Sequence, residues 1–346
     1  MNTEELYMQR ALELAANGLG SASPNPMVGC VIVYQNSIIG EGWHQKYGSP
    51  HAEVNAINSV RDKTLLSKST AYVTLEPCSH YGKTPPCADL LIKHKVKRVV
   101  ICNQDPFPEV DGNGIKKLRS AGIEVITGIL EEEGKSLNRR FFKNVERKKP
   151  YVILKWAETA DGFIATEEGE PIAISGKLAR MHSHKWRSEE DAIMVGSKTV
   201  IHDNPSLTTR EWPGKNPIRV VLDSSLVTDP DSRVFDLSSK TYVFTLEDSD
   251  KPNFIKIDKN REVTDFILER LYAEGISSLI VEGGPRLHKL FLESNNFDEI
   301  RVLKSRKLSV KEGMQAMPVP PNITLKKRVE LPEDILSFFS NSFQPF

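Results

Sequence analysis

The chain has 346 residues, of which 39% are hydrophobic and 27% are charged, and this length predicts two domains. Such a composition is typical of a globular protein and excludes a mostly disordered chain, a collagen-like chain and a membrane channel. Because 46 basic side chains balance 46 acidic ones, the overall charge does not attract nucleic acid or an anionic membrane.

The first twenty residues predict a helix rather than a secretion signal. Leu6, Leu12 and Leu14 recur at helical spacing, Thr3 is suited to the N-cap, and Gly18 follows the last turn. The segment is acidic and lacks a long apolar core, and no stretch of the chain approaches the ~20 apolar residues of a membrane span. Four cysteines are too few for a secreted disulfide framework. We therefore expect a cytoplasmic protein with no membrane partner.

The rest of the first half alternates strand-like and helix-like segments. Strands are predicted at 27–34, 71–77, 97–103 and 123–128, and helices at 51–60, 87–95 and 114–122. This order predicts an α/β domain with a largely parallel sheet. A basic, polar stretch follows at 139–150, and we interpret its last three residues, Lys148, Lys149 and Pro150, as a connection, because Pro150 disfavours helix in the residue before it. The predicted domains are 1–147 and 148–346.

The second half predicts a separate α/β domain. Its strand-like segments are 151–165, with a turn at Asp161-Gly162, followed by 191–196, 218–223, 241–245 and 277–284. Helical spacing recurs at 176–188, 264–275 and 285–294. Two separate sheets predict two active sites. The segment after about residue 303 has no assignment.

His51, Glu53, Cys78 and Cys87 carry the strongest chemical signal. A His-x-Glu followed by Pro-Cys and a second Cys is the signature of zinc-dependent deaminases. One imidazole and two thiolates leave the fourth position of a tetrahedral zinc ion for a water, whose pKa the metal lowers. Glu53 is then placed to carry protons without binding the metal. The alternative is a structural zinc site, for which His80 is the available fourth ligand.

A glycine-rich segment at 111–118, DGNGIKKL, has part of the pattern of a dinucleotide-binding loop. Lys117 stands where the third glycine of G-x-G-x-x-G belongs. We therefore interpret this segment as a loop of the first domain, without a cofactor.

Longer motifs occur in both halves of the chain. The first half contains PNPMVGCVIV, GWHQKYGSPHAE and LEPCSHYGKTPPC, with eight residues between the two cysteines. The second half contains VILKWAETADGFIA, DAIMVGSKTVIHDNPSLTTR, NPIRVVLD and LIVEGGPRLHKLFL. Together these motifs resemble the family of bifunctional deaminase–reductases of riboflavin biosynthesis, the first half its deaminase part and the second half its reductase part. The resemblance implies a cytidine-deaminase-like α/β/α zinc domain followed by a dihydrofolate-reductase-like α/β domain.

For this chain the resemblance implies two consecutive reactions. Zinc-activated hydroxide would deaminate 2,5-diamino-6-(5-phosphoribosylamino)pyrimidin-4-one, with Glu53 as the proton carrier. NADPH would then reduce the ribosyl group to ribityl, which gives 5-amino-6-(5-phosphoribitylamino)uracil. The implied cofactors are one Zn²⁺ per chain and NADPH. The implied partners are small phosphorylated pyrimidines and further copies of the chain in a homo-oligomer, with no nucleic acid.

The resemblance also implies which residues form the two sites. The deaminase substrate is expected to contact Asn25, His44, His80 and Lys83. The reductase substrate is expected to contact Lys155, Arg187, Leu207, Arg210 and Glu282. The cofactor is expected to contact Ala157, Ala173, Thr199, Asp203, Ser224, Gly283, Gly284 and Pro285. Ala173 stands where the family pattern has tryptophan. The two arginines suit a phosphate because the guanidinium fork offers paired donors.

Two other functions stay open at this point. A nucleic-acid deaminase with an accessory binding domain requires a basic face and stacking aromatic residues, whereas the net charge is zero and aromatic residues make up only 8%. The other alternative is a zinc protein whose reductase-like half is inactive, either a deaminase or a non-catalytic scaffold. The substitution at Ala173 is the observation that favours it.

Overall fold

The computed structural model of the chain describes residues 2–79, 85–107 and 111–341. The chain forms two compact units, which meet in sequence between Arg147 and Lys148. No helix in these described ranges is both long enough and apolar enough to cross a membrane. Two predicted substrate contacts, His80 and Lys83, lie outside the described residues.

The first unit is an α/β/α sandwich. Its helices are α1 (Thr3–Ala16), α2 (Ala52–Ser59), α3 (Cys87–Lys93), α4 (Asn113–Ser120), α5 (Glu131–Leu137) and α6 (Arg139–Arg147). Its strands are β1 (Gly29–Tyr34), β2 (Ser37–Trp43), β3 (Thr70–Leu75), β4 (Arg98–Asn103) and β5 (Glu124–Thr127). A 3-10 helix covers Lys63–Lys68.

The sheet of this unit has the strand order β2-β1-β3-β4-β5. Strand β1 pairs antiparallel with β2 and β3, whereas β3, β4 and β5 are parallel, so the prediction of a largely parallel sheet is wrong for the β2–β1 side. Successive side chains of β1 face opposite layers, as the pleat requires. Cys30 and Ile32 pack with α2, α3 and α4, while Val31 and Val33 pack with α1.

The structure corrects the start of the first helix. The N-cap is Asn2 rather than Thr3, because the Asn2 side chain accepts from the Glu5 N–H and the Glu5 carboxylate accepts from the Asn2 N–H, each at 2.9 Å. This reciprocal pair is a capping box. The sequence contained the signal, since Asn2 and Glu5 have the required spacing, but Thr3 also has a suitable side chain.

Strand β2 and helix α6 were not predicted. β2 follows a turn in which Gln35 and Asn36 both have positive φ, 47° and 59°, and this pair lacks the glycine that usually marks such a turn. Glycines occur within β2 because α2 packs closely on it: a Cβ at Gly42 would lie 2.3 Å from the Ala56 nitrogen. The basic stretch Arg139–Arg147, which was given no element from the sequence, is helical, and its Phe142 is buried.

The second unit is built on a larger mixed sheet. Its helices are α7 (Lys177–Glu189), α8 (Ser197–Asp203), α9 (Val263–Ala273) and α10 (Pro285–Glu293). Its strands are β6 (Tyr151–Glu158), β7 (Phe163–Ala165), β8 (Ala192–Gly196), β9 (Ile218–Leu222), β10 (Thr241–Thr245), β11 (Phe254–Lys256), β12 (Ser278–Val281), β13 (Glu299–Ser305), β14 (Met314–Gln315), β15 (Thr324–Glu330) and β16 (Asp334–Ser340). A short 3-10 helix covers Arg233–Phe235.

The main sheet of this unit has the order β11-β10-β9-β8-β12-β6-β13-β16-β15. Its strands are parallel from β11 to β13. The segment left unassigned from the sequence adds β16, which pairs antiparallel with β13, and β15, which pairs antiparallel with β16. The same segment supplies β14, which pairs with β7 in a separate ribbon. In β6, Val152 and Leu154 pack with α9 and α10, while Tyr151 and Ile153 pack with α7 on the other face.

Candidate functional sites

His51, Cys78 and Cys87 converge from three elements of the first unit. His51 is the N-cap of α2, Cys78 follows β3, and Cys87 is the first residue of α3. His51 Nδ1 lies 3.7 Å from Cys78 Sγ and 3.3 Å from Cys87 Sγ. Within the described part of the chain, these three are the His, Cys, Asp and Glu residues whose ligand atoms come close enough to share a metal.

The three ligand atoms fit a zinc ion. Zn–S bonds of about 2.3 Å and Zn–N bonds of about 2.0–2.1 Å at a tetrahedral angle place a sulfur and a nitrogen about 3.6 Å apart. The distances from His51 Nδ1 to the two sulfurs, 3.7 and 3.3 Å, lie within about 0.3 Å of this value. No fourth protein ligand lies with them among residues 2–79, 85–107 and 111–341. His80, the fourth ligand of the structural-site alternative, is outside those ranges.

The pKa values of the two thiols are shifted in opposite directions. A hydrogen bond from the Cys87 thiol, together with the neighbouring His51 imidazole, lowers the pKa of Cys78 to about 4. The same contact with Cys78 raises the pKa of Cys87. The Cys87 backbone N–H also donates to Cys78 Sγ at 3.3 Å. One thiolate is therefore stabilised next to the imidazole, and zinc binds the thiolate form of cysteine.

Glu53 is a buried carboxyl beside these ligands, with 3% of its surface exposed. It lies in the first turn of α2, one residue beyond the first helical position after His51. Burial is the main reason that its pKa is raised to about 7, and the charge of Cys78 adds to the effect. A carboxyl that titrates near neutrality suits proton transfer, because it exists in both protonation states under working conditions.

His44 lies beside the ligand His51, and Asn25 contacts His44. The Asn25 amide Nδ2 is 3.2 Å from His44 Nε2, and the His44 ring is 5.5 Å from the His51 ring in an edge-on arrangement. His44 Nδ1 lies 3.2 Å from the Pro50 carbonyl oxygen, and burial lowers the pKa of His44. A neutral imidazole that donates from Nδ1 to Pro50 and accepts at Nε2 from Asn25 satisfies both contacts.

Lys155, Arg187 and Glu282 form a buried ionic cluster in the second unit. The Arg187 guanidinium donates from Nε and Nη2 to the two Glu282 carboxylate oxygens at 2.9 and 2.8 Å. Lys155 Nζ donates to Glu282 Oε2 at 3.2 Å. Burial alone would raise the pKa of Glu282, but the charges of Arg187 and Lys155 outweigh it and hold that pKa well below its usual range. Burial lowers the pKa of Lys155.

A cleft of about 800 Å³ opens at the carboxyl ends of β6, β8, β9 and β12. The predicted residues that line it are Lys155, Ala157, Thr199, Asp203, Ser224, Glu282, Gly283, Gly284 and Pro285. Four other predicted residues do not line it: Ala173, Arg187, Leu207 and Arg210. The Arg187 guanidinium donates to Glu282, and Leu207 is buried in the core. Arg210 is exposed, and its Nη1 lies 3.4 Å from the Thr208 hydroxyl oxygen.

One wall of the cleft comes from residues that the sequence did not indicate. Ile164 of β7 and Met314 and Gln315 of β14 line it. The ribbon is held by Asp161, whose Oδ2 accepts from the N–H groups of Val310 and Lys311 at 3.1 and 2.9 Å. Because this pairing joins segments about 150 residues apart in sequence, no local pattern predicts it. The turn predicted at Asp161-Gly162 was the one sequence feature that pointed to this ribbon.

The glycines at the start of α10 differ in their surroundings. Gly284 has an ordinary φ of −71°, and a Cβ built on it meets no atom within 4 Å. A Cβ at Gly283 would lie 2.7 Å from Leu287 Cδ2, so that glycine is needed for packing. A side chain at Gly284 would thus project into open space beside the cleft.

Two family models match the chain. The cytidine and deoxycytidylate deaminase zinc-binding region matches residues 1–103, and the RibD C-terminal domain matches residues 150–308. The riboflavin biosynthesis protein RibD of Aquifex aeolicus is 40% identical over 348 residues, which cover 96% of this chain and 97% of that relative. The protein of the same name from Escherichia coli strain K12 is 39% identical over 337 residues, covering 91% of each chain.

Solved structures are similar over the same extent. A diaminohydroxyphosphoribosylaminopyrimidine deaminase/5-amino-6-(5-phosphoribosylamino)uracil reductase from Thermotoga maritima superposes with a TM-score of 0.89 at 40% identity, covering 98% of both chains. RibD of Acinetobacter baumannii superposes with a TM-score of 0.88 at 34% identity, also covering 98% of both chains. These matches confirm the predicted fold class of a deaminase-like domain followed by a reductase-like domain.

Proposed function

We propose how the residues of this chain divide the work of two reactions, given that the chain belongs to the RibD family of bifunctional riboflavin biosynthesis enzymes. Residues 1–147 form the deaminase domain and residues 148–346 the reductase domain. The observation that carries this assignment is the presence of two separate sites in one chain. One is a three-ligand metal centre beside a buried carboxyl, and the other is a cleft large enough for a nucleotide cofactor.

In the first domain, His51, Cys78 and Cys87 would hold zinc. When bound there, zinc supplies an activated water for attack on the pyrimidine carbon that bears the amino group. Glu53 would take up the proton of the attacking water on its carboxylate and pass it to the amino group, which then leaves as ammonia, since its pKa of about 7 allows both steps. Asn25 and His44 orient the pyrimidine, and His80 and Lys83 are further proposed substrate contacts. The substrate is 2,5-diamino-6-(5-phosphoribosylamino)pyrimidin-4-one.

In the second domain, NADPH in the cleft would supply the hydride that opens the ribosyl ring to ribityl. The cleft offers room for it, and the N-terminal N–H groups of α10, a nine-residue helix, suit a phosphate. The proposed cofactor contacts are the predicted residues that line the cleft, Ala157, Thr199, Asp203, Ser224, Gly283, Gly284 and Pro285. Ala173 does not line the cleft, so alanine in place of the tryptophan of the family pattern leaves the walls of the cleft intact. This argues against an inactive second half.

The reductase substrate would contact Lys155, Arg210 and Glu282, whereas the predicted contact Leu207 is buried in the core. Arg210 is the better phosphate contact of the two arginines, because Arg187 commits its paired donors to Glu282. Arg187 then acts by holding Glu282 in place rather than by touching the substrate. The proposed partners are phosphorylated pyrimidines, and the proposed assembly is a homo-oligomer.

The purified protein should contain about one zinc per chain and should oxidise NADPH in the presence of the deaminated substrate. With the diamino substrate, NADPH oxidation should depend on prior ammonia release. Metal analysis, an ammonia assay and NADPH absorbance measure the three quantities. A protein that binds zinc and releases ammonia but never oxidises NADPH would instead be a deaminase with an inactive second half.

Cys78→Ser and Cys87→Ser are the matched variants for this test, since each removes one thiolate ligand. Both should lower zinc content and deamination and destabilise the first domain, because ligand binding contributes to its folding. Cys30→Ser is the control, as Cys30 is buried in the core without a metal role. Full zinc occupancy in both ligand variants would contradict the assignment.

Glu282→Gln should destabilise the second domain by about 3–5 kcal/mol, because it leaves the buried cations Arg187 and Lys155 without their counter-charge. The folded-state pKa of Glu282 lies below its unfolded value. The contribution of Glu282 to the free energy of unfolding is therefore present at neutral pH, and it is lost as the pH falls below the usual carboxyl pKa range. Denaturant unfolding should show a smaller loss of stability in acid for the variant than for the wild type.

Glu293→Gln is the control, because Glu293 forms an exposed i,i+4 pair with Lys289, and such pairs contribute little. If Glu282→Gln is as stable as Glu293→Gln, the buried cluster does not support the second domain.

A further inference from the structure

Glu76 is a buried carboxylate, two residues before the ligand Cys78, that neither proposed reaction uses. Backbone N–H groups from one loop and helix surround it. Oε2 accepts from Gly112 at 3.0 Å and from Asp105 at 3.4 Å, and Oε1 accepts from Ile115 at 3.1 Å. Charge-assisted bonds of this kind are stronger than those between neutral groups. The carboxylate therefore ties the end of β3 to the start of α4.

The glycine-rich segment 111–118 accounts for this arrangement. Gly112, with a φ of 78°, is the N-cap of α4 and turns its N–H toward Glu76. A Cβ at Gly114 would lie 2.1 Å from the Pro77 carbonyl oxygen and 3.1 Å from Glu76 Oε1. The glycines thus let the backbone approach the Glu76-Pro77 dipeptide closely. The segment that resembles a dinucleotide loop binds a carboxylate of its own chain.

This dipeptide leads directly into the metal centre. The Glu76 N–H donates to the Asn103 carbonyl at 2.9 Å, which continues the pairing of β3 with β4. After Pro77, the Cys78 carbonyl accepts from the Ala88 N–H at 3.1 Å, at the start of the helix that carries Cys87. Glu76 and Ala88 therefore fix the two ends of the short segment that holds Cys78.

We propose that Glu76 is a positioning residue of the metal centre, which acts through Pro77 to hold Cys78 in register with His51 and Cys87. This inference rests on the proposed zinc site. A residue that holds a ligand in place slows metal release, and outer-shell substitutions commonly change metal affinity by about 10- to 100-fold. A purely structural anchor would change the stability of the domain without changing zinc release from the folded protein.

Glu76→Gln in the full chain is the direct test. Glutamine keeps the size of the side chain. In the wild type the backbone N–H groups of Gly112 and Ile115 each donate to a carboxylate oxygen of Glu76. In the variant one of these N–H groups would face an amide NH₂, which cannot accept a hydrogen bond. Zinc release to a chelator should become about 10- to 100-fold faster. NADPH binding by the other domain should stay unchanged. Circular dichroism reports whether the variant is folded.

Asp223→Asn is the matched control for the loss of a buried carboxylate. Asp223 lies in the second unit and accepts from the N–H groups of Val227 and Thr228 at 3.1 and 2.9 Å. Its replacement removes the same kind of contact far along the chain from the metal ligands. Zinc release from Asp223→Asn should therefore equal that of the wild type.

Gly114→Ala is a second variant that disturbs the same contact from the opposite side, since its Cβ must displace Pro77. Gly122→Ala is its control, because Gly122 has a φ of 80° and no atom within 4 Å of a built Cβ, so the substitution adds strain without touching Pro77. Faster zinc release in Glu76→Gln and Gly114→Ala, but not in Gly122→Ala, supports the inference. Wild-type release rates from the folded variants would overturn it, whereas a wild-type protein without zinc would overturn the proposed metal site itself.

Discussion

Glu53→Gln should lower deamination by about 10²–10⁴-fold while zinc content and the reduction of pre-deaminated substrate stay at wild-type levels. The glutamine amide fills the same buried space but cannot accept and release a proton. The present carboxyl can do both near neutral pH, because burial raises its pKa to about 7. Ammonia release measures the first reaction, NADPH oxidation the second, and metal analysis the zinc content.

Glu53→Asp is the comparison that separates proton transfer from packing. It keeps the carboxyl but withdraws it by one methylene, so deamination should fall less than in Glu53→Gln. Both variants should keep zinc, because Glu53 is not one of the three residues whose ligand atoms converge. Deamination near the wild-type rate in a zinc-loaded Glu53→Gln protein would show that another group carries the proton.

The sequence predicted most where the determining contacts are local. His51 and Glu53 begin a helix after Pro50, and Cys78 and Cys87 adjoin a strand and a helix, so their spacing along the chain reflects their placement. The βα alternation likewise predicted the main strands of both units. The predicted N-cap missed by one residue because two neighbouring side chains, Asn2 and Thr3, both suit a cap.

The sequence predicted least where the contacts join distant segments. Ribbon β7–β14 forms a wall of the cleft, yet its strands have only three and two residues and lie far apart in sequence. The partners of Glu76 are also remote, and the glycines that reach it have part of a nucleotide-loop pattern. Arg187 illustrates the same point, because only the fold shows that both of its paired guanidinium donors bind the Glu282 carboxylate. Sequence spacing does not reveal which charge a buried arginine pairs with.

Gly284→Val should weaken NADPH binding at least about tenfold, or ~1.4 kcal/mol, and abolish reduction, while zinc content and deamination stay normal. Gly284 adjoins the cleft at the N-terminus of α10, where backbone N–H groups suit a phosphate. A branched side chain would occupy that space. The domain should still fold, because the φ of −71° is allowed for valine and a Cβ meets no atom within 4 Å. Replacing the glycine N-cap costs about 1 kcal/mol or less.

Two neighbouring variants make this test decisive. Gly284→Ala places a smaller group at the same point and should weaken NADPH binding less than valine does. Gly283→Val should instead destabilise the second domain, because its Cβ would lie 2.7 Å from Leu287 Cδ2. Quenching of tryptophan fluorescence by NADPH measures binding, since Trp156 lines the cleft, and circular dichroism measures folding. If folded Gly284→Val binds NADPH as tightly as the wild type, the phosphates of the cofactor bind elsewhere than at the start of α10.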